Sequence, residues 1–396
     1  MILNLKNSPL TLLLSKNKTA VFDDEIMLAP FDEKIINAFS QLGLFLMKNG
    51  RREPSIVAAG YWLRKKHLLT IQQQYLESCY SAKGTVFHIA PGNVDTLFFY
   101  SMVVSVLSGN QTILRISNKL TQETQFFIEL LATFFNENKE HETVYSLIHI
   151  IQYQHDTENG HDITLKLSMF SDARVIWGGD TAVAEISEIP QKINANNITF
   201  PDRYSVAVIH LENDSEIDNA VNQLITDIKP FYQQACSSPK VVYWLDTAQK
   251  LQDKFWLLFT EKTIEQLALS PTDLISQLVY LQRLPLLLNQ SIKNKPNVEK
   301  YNELHKVNVA FVTLEAVKAH CGLWTLLSQQ IKNLAEIQLF SHCQTVTISG
   351  VEESIVEQWH QSVKVAETAK RFVSAGQALT FSHIWDGIDL IDNLTS

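Results

Sequence analysis

Between residues 85 and 116 the apolar pattern changes period twice. Thr85–Val86–Phe87–His88–Ile89 is a short β-rich run, and Pro91–Gly92–Asn93 is a turn. Residues 95–108 are apolar on almost every side, with Asp95 in the first turn, and Gly109–Asn110 stops them. Thr112–Ile113–Leu114–Arg115–Ile116 is a second β-rich run. Two runs too short for helices, joined by a buried helix, predict a βαβ unit with parallel strands and a right-handed crossover.

The alternation continues downstream. Phe126, Phe127, Leu130, Leu131, Phe134 and Phe135 fall at helical spacing within 122–136. Further strands are expected at 145–151, 173–177, 204–211, 240–245, 308–314 and 345–349. Further helices are expected from Thr181, over 216–234 and over 352–369. Polar stretches at 154–162 and 288–300 read as surface loops. No internal repeat is visible. Strands alternating with helices predict an α/β fold with largely parallel sheets.

Composition narrows the class. A chain of 396 residues suggests two or three domains, or one large α/β unit with an inserted lobe. With 45% apolar and 19% charged residues it can bury a large core, which excludes disorder, collagen and coiled coil as the main architecture. The balance of 33 basic against 42 acidic residues, net −9, counts against a broad nucleic-acid surface. Cysteines stand at 79, 236, 321 and 343 with no CxxC, so a disulfide framework is not expected and a reducing cytoplasm is. The apolar runs at 12–14 and 96–107 are too short for a membrane helix, which needs ~20 residues.

Three places could carry chemistry. Cys236 lies in Gln233–Gln234–Ala235–Cys236–Ser237–Ser238–Pro239, between an expected helix and an expected strand, among small polar neighbours. It reads as a nucleophile or as a half-buried structural thiol. Asn93 comes after a strand end, where an amide N–H could face a developing oxyanion, or simply close a turn. Gly178–Gly179–Asp180 again joins a strand to a helix, as a phosphate-binding loop or an ordinary turn would. Neither G-x-G-x-x-G nor a P-loop occurs. His320–Cys321 and His342–Cys343 are adjacent pairs, a poor arrangement for chelation, and H-E-x-x-H is absent, so no metal is expected.

Taken in order, segments 86–93, 109–117, 172–180, 233–239 and 371–379, with Ile384-Trp-Asp-Gly-Ile-Asp389, resemble the LuxC family of acyl-CoA and acyl-protein reductases. This family is a branch of the aldehyde dehydrogenase superfamily. The resemblance covers about residues 50–390. It implies a Rossmann-like cofactor domain, an α/β catalytic domain carrying the cysteine, and an active-site cleft between them. The expected division is 1–205 for the N-terminal segment and cofactor domain, with part of 345–396 returning to it, and 206–344 for the catalytic domain.

The resemblance further implies that Cys236 is the nucleophile and that Asn93, with the cysteine N–H, forms the oxyanion hole. Arg115, Ser117, Gly178 and Gly179 fall at the cofactor, NADPH with NADH as the other option. Arg115 stands where a lysine usually holds the adenine ribose, and it keeps the charge but not the geometry. The Glu-Leu-Gly-Gly segment that carries the general base of hydrolytic aldehyde dehydrogenases is replaced here by Phe200-Pro-Asp-Arg-Tyr-Ser205. The implied reaction is reduction of a fatty acyl group, brought on CoA or on a partner such as an acyl-protein synthetase or acyltransferase, to a fatty aldehyde. A homo-oligomer without nucleic acid or membrane span is expected. The competing readings are a thiol acyltransferase or thioesterase, using Cys236 and a histidine base, and a non-catalytic partner of an acyl-protein ligase.

Overall fold

The strand β4 (Thr85–Ile89) is buried at every position, because both faces of its sheet are covered. Val86 points into the cluster formed with Phe39, Leu42, Phe99, Val103 and Leu131. Phe87 and Ile89 point the other way, onto Ile163, Leu167 and Phe170. The period of two in the strand thus sorts its side chains between two helical layers.

The computed structural model describes residues 2–23, 26–76, 80–90, 97–264, 269–289, 296–365 and 369–396. The chain divides into two compact units: 1–201 with 381–396, and 202–380. In the first unit β1 (Ile2–Asn4) pairs with β3 (Val21–Asp23) as an antiparallel ribbon. The main sheet contains β2 (Thr11–Ser15), β4, β5 (Gln111–Arg115), β6 (Ile148–Gln152), β7 (Ala173–Trp177) and β8 (Asn196–Phe200), in the order β2-β6-β5-β4-β7-β8. All pairings are parallel except β2 with β6. The chain runs from β4 outward through β5 to β6, then crosses back to place β7 on the other side of β4. The β4/β7 boundary is therefore the topological switch point, where parallel sheets open a ligand crevice at their carboxyl ends.

In the second unit the sheet order is β11-β12-β13-β10-β9-β14-β15. Its strands are β9 (Tyr204–Ile209), β10 (Pro239–Leu245), β11 (Asn297–Tyr301), β12 (Leu304–Asn308), β13 (Thr325–Ile331), β14 (Cys343–Ser349) and β15 (Ala369–Ser374). The edge strand β11 is antiparallel to β12, and the remaining pairings are parallel. Val206, Val208, Val241 and Tyr243 fill one side, and Ala207, Ile209, Val242 and Trp244 the other.

Residues 381–396 close the first unit. They carry β16 (Ile384–Trp385) and β17 (Ile388–Asp389), then bury Leu390, Ile391 and Leu394. Asn110 Nδ2 donates to Leu394 O at 2.8 Å, and Tyr75 OH donates to Asp389 Oδ2 at 2.7 Å.

The α/β pattern expected from the sequence is present, with local differences: the helix expected over 352–369 covers Glu353–Val365 with Ala369 already in β15, Tyr145 ends a short helix before β6, and four further segments depart. Residues 158–162, read as loop, begin the helix Glu158–Phe170, because Thr157 caps it through Gly160 N. The expected strand at 308–314 is displaced: β12 ends at Asn308 and the helix Leu314–Lys318 starts after the Thr313 cap. Residues 297–300, expected in a loop, belong to β11. The helix expected over 216–234 stops at Ile228, and residues 229–234 form an irregular turn that shapes the site. No helix of the described residues is long and apolar enough to cross a membrane, and 97–107 form a buried helix.

Candidate active site

Helix Ile217–Ile228 ends eight residues before Cys236, so the thiol does not sit at a helix C-terminus as the sequence suggested. Pro230 breaks the helix, having no N–H to continue it. Phe231, Tyr232 and Gln233 then take φ of 58°, 50° and 63°. Left-handed backbone costs non-glycine residues about 1–2 kcal/mol each, so three in succession must be held by their surroundings.

The surroundings are identifiable. The Gln233 side chain is fully buried and makes three hydrogen bonds: Nε2 donates to Pro239 O and to Thr325 O, both at 2.8 Å, and Oε1 accepts from Thr325 N at 3.0 Å. Opposite it runs a second left-handed stretch, Gly322, Leu323 and Trp324, at φ of 68°, 52° and 57°. Leu323 N donates to Tyr232 O at 2.8 Å, and Gln277 Nε2 donates to Leu323 O at 2.7 Å. A Cβ on Gly322 would meet Gln233 O at 2.7 Å, so the two turns approach closely only because residue 322 is glycine.

Beyond Gln233 the loop is fixed from below. Buried Ser205 donates from Oγ to Cys236 O at 2.8 Å and accepts from Thr345 N at 3.1 Å, which ties the cysteine loop to β9 and β14. Ser238 Oγ donates to Asp227 O at 2.8 Å. The Asp227 carboxylate accepts from Gly376 N at 2.7 Å and Ala378 N at 2.8 Å. Asp227 therefore anchors two separate segments, 233–239 and 371–379. Burial pushes its carboxyl up to about 6, against the pull of the two N–H groups and of Arg371. Replacing Asp227 by alanine leaves those donors without an acceptor, and the expected cost is about 1–3 kcal/mol, read from a lower urea midpoint.

The thiols differ in setting. Cys236 and Cys321 are half-buried, Cys343 is fully buried, and none of the three is in a disulfide. Burial pushes the Cys343 thiol up to about 12 and also raises Cys321. Lys240, half-buried on β10, interacts electrostatically with Cys236, Cys321 and Asp202. His320 is buried, with Nδ1 accepting from Gly322 N at 3.0 Å and Nε2 without a hydrogen-bond partner among the described residues. Sequence reasoning missed Asp227, Ser205 and Lys240. Asp227 and Lys240 lie near the cysteine segment in the chain, whereas Ser205, in the 200–205 segment, is brought to Cys236 from 31 residues away.

In the first unit, Gly178 and Gly179 come directly after β7 and are half-exposed at the carboxyl end of the sheet. Gly179 is the N-cap of helix Asp180–Glu188 and supplies no side-chain cap, so the first N–H groups of the helix gain no side-chain acceptor from it. A Cβ on Gly178 would find only ordinary contacts, Ala182 at 3.6 Å and Val183 at 4.0 Å. Arg115 ends β5 at the same edge. Its Nη2 reaches Tyr153 O at 3.4 Å and His155 Nδ1 at 3.1 Å. Ser117 Oγ accepts from Lys119 N at 3.2 Å, closing a turn. Asn93 lies outside the described residues. Among the described residues no group of three or more His, Cys, Asp or Glu is placed to hold a metal.

Two doubly wound units, one offering a helix N-terminus at its switch point and the other a locked thiol loop, define an aldehyde dehydrogenase-like fold. An NAD-dependent aldehyde dehydrogenase from Sinorhizobium meliloti has the same fold, with a TM-score of 0.64 at 11% identity over 93% of this chain and 81% of that one. Lactaldehyde dehydrogenase from Escherichia coli gives 0.58 at 11% identity over 92% and 83%. The chain belongs to the acyl-CoA reductase (LuxC) family, whose model matches residues 69–395. Curated relatives are long-chain acyl-protein thioester reductases. That of Photorhabdus luminescens is 26% identical over 183 residues, 46% of this chain and 35% of the relative. That of Aliivibrio fischeri is 27% identical over 166 residues, 41% of this chain and 32% of the relative. These matches span about a third of each relative's length.

Proposed function

We propose that this chain reduces an activated fatty acyl group to a fatty aldehyde, with Cys236 as the acyl carrier and NADPH or NADH as reductant. The acyl group arrives as a thioester of coenzyme A or of an acylated partner protein, and a homo-oligomeric state in the cytoplasm belongs to the same reading. The observation that carries it is the Cys236 loop. Three left-handed residues, the triply bonded Gln233 and the Ser205 bridge are a costly way to position an inert thiol.

The Cys236 thiolate attacks the acyl carbonyl, and the bond from that carbon to the donor sulfur breaks. The donor leaves as a thiol after taking a proton, and the acyl group stays activated as an enzyme thioester. A reduced nicotinamide supplies hydride chemistry when bound. The chain's own tasks are to donate hydrogen bonds to the oxygen that gains charge and to release the aldehyde with the Cys236 sulfur as leaving group. Asn93 and the Cys236 N–H are the proposed oxyanion donors. For the cofactor, the N-terminus of helix Asp180–Glu188 and the uncrowded Cβ side of Gly178 fit a pyrophosphate, and Arg115 and Ser117 stand at the carboxyl end of the same sheet.

Oxidation of NADPH measured across a series of acyl-CoA chain lengths tests the reading, with fatty aldehyde as the expected product. Acyl transfer without any nicotinamide oxidation would favour the acyltransferase instead. The glycine pair gives a second expectation. Gly179→Val raises the KM for the nicotinamide roughly tenfold, the equivalent of losing one or two phosphate hydrogen bonds, and leaves the KM for the acyl donor near its original value. Equal losses for both ligands in a destabilised protein would count against the assignment.

A further inference from the structure

Strand β10 does not pair evenly with β9. Pro239 stands opposite Ser205 and Val241 opposite Val206, so Lys240 is one residue extra in the register of this parallel pair. An extra residue of this kind leaves the ladder locally and changes the direction of its side chain. The neighbouring pair β14–β9 shifts register at the same end, between Cys343 and Val346. Ser205 lies at both irregularities and holds Cys236 O and Thr345 N. The distortion of two strand pairs thus converges on the cysteine loop, with one lysine displaced from the regular ladder beside it.

The charges around this lysine are few. Cys236 follows the first of the two interlocked turns and Cys321 precedes the second, Asp202 lies before β9, and His320 adjoins Cys321; each interacts electrostatically with Lys240. Tyr280, on helix Pro271–Leu287, packs its ring on His320 with centroids 4.8 Å apart. Among the described residues the Lys240 side chain makes no hydrogen bond and no ion pair with a carboxylate within 4.0 Å. Burial works against its ammonium form and on balance lowers its pKa, opposed first by Cys236 and then by Asp202 and Cys321. His320 is held neutral by burial and by the lysine charge, so it adds no second cation.

We propose that Lys240 is the positioning residue that keeps Cys236 ionised: the register irregularity at the start of β10 sets its ammonium beside the cysteine loop, where the Cys236 thiolate and Asp202 are its counter-charges. A cation of this kind is what lowers a cysteine below the ordinary pKa of ~8.5 where no helix N-terminus is available. The inference rests on Cys236 being the nucleophile, and its test does not use turnover.

Alkylation of Cys236 by iodoacetamide, read by peptide mass spectrometry across pH 6–10 in the full chain (a range of roughly four units around the free thiol value), gives the thiolate midpoint directly. In the wild-type protein the midpoint lies below ~8.5. In Lys240→Met it rises by about one unit, and alkylation at pH 7 slows about tenfold. Lys240→Arg keeps the midpoint close to the wild-type value, which a purely structural role for the lysine stem would not require. Methionine suits a half-buried site and preserves length. Should that variant fail to fold by circular dichroism, Lys240→Gln makes the same comparison. A folded Met or Gln variant with an unchanged midpoint overturns the proposal. Failure of the nucleophile assignment is a separate result: reduction that survives Cys236→Ser removes the reading whatever the midpoint does.

Discussion

Cys236→Ser abolishes both the acyl-enzyme and aldehyde formation, with turnover falling by at least about 10⁴-fold. The expectation comes from how the loop is built. Its anchors are the Gln233 side chain, the Ser205 hydroxyl on the Cys236 carbonyl and the Ser238–Asp227 bond, none of which involves the sulfur. Serine therefore keeps the geometry and removes the thiolate. Acyl group retained on the denatured protein from labelled acyl-CoA is the direct readout, and circular dichroism confirms folding. The other thiols respond differently. Cys321→Ser retains turnover, because burial keeps that thiol protonated. Cys343→Ala retains turnover with a loss of stability, since the residue is fully buried in the core of the second unit. Cys79→Ser is expected to be neutral for activity. A folded Cys236→Ser protein reducing acyl-CoA at the wild-type rate would end the proposed mechanism.

Mild acid destabilises the first unit by about 4 kcal/mol between pH 7 and pH 5, from two histidines alone. His88 and His149 are buried, and burial holds their pKa values at about 3 and about 4. Unfolded, each takes a proton near 6.5. Below that pH the unfolded chain binds more protons than the folded one, so stability is full above about 6.5 and is lost as pH falls toward the folded values. Each contributes about 2 kcal/mol over this interval, at 1.36 kcal/mol per pKa unit. Both are wired as neutral rings. His88 Nδ1 faces Ser101 Oγ at 2.8 Å, and that hydroxyl accepts from Trp177 Nε1 at 3.1 Å. His149 Nδ1 faces Ser15 Oγ at 2.8 Å. Asp227 acts in the opposite sense in the second unit, because its raised pKa makes the folded state the better proton acceptor between about 4 and 6. Urea unfolding at the two pH values, in the wild type and in a His88→Asn, His149→Asn variant, measures the effect. Equal pH dependence in both proteins would contradict it.

How far the fold could be read from the sequence depended on the range of the determining contacts. β4, the helix after it, β5 and β7 carry their own punctuation and were legible, as was helix Gln122–Glu137 from its phenylalanine spacing. β2 was not, because Thr11–Ser15 is a strand by virtue of pairing antiparallel to β6, far along the chain. The site divides the same way. Cys236 and the glycine pair are marked by local composition. The left-handed turn at 231–233 contains no glycine, and it exists because Gly322 in a distant loop lets Gln233 come close enough to bond Thr325. No local pattern announces such an arrangement. Lys240 reads from sequence as an ordinary residue at the start of a strand, and only the register against β9 shows that it is displaced.

The return of residues 381–396 to the first unit bears on how the protein is made. The ribosome delivers residues 1–201 early, but Leu390, Ile391 and Leu394, which fill their core, and the Asn110–Leu394 bond come only after residues 202–380 have been synthesised. At typical elongation rates that gap is on the order of 10–40 s. For that time the first unit carries an open apolar seam beside Phe99, Val103 and Val106, while the contiguous second unit has all its strands once residue 374 is made, before the closing segment of the first. The nascent chain should therefore complete its folding in reverse order of synthesis, and chaperone dependence should concentrate on the unit made first.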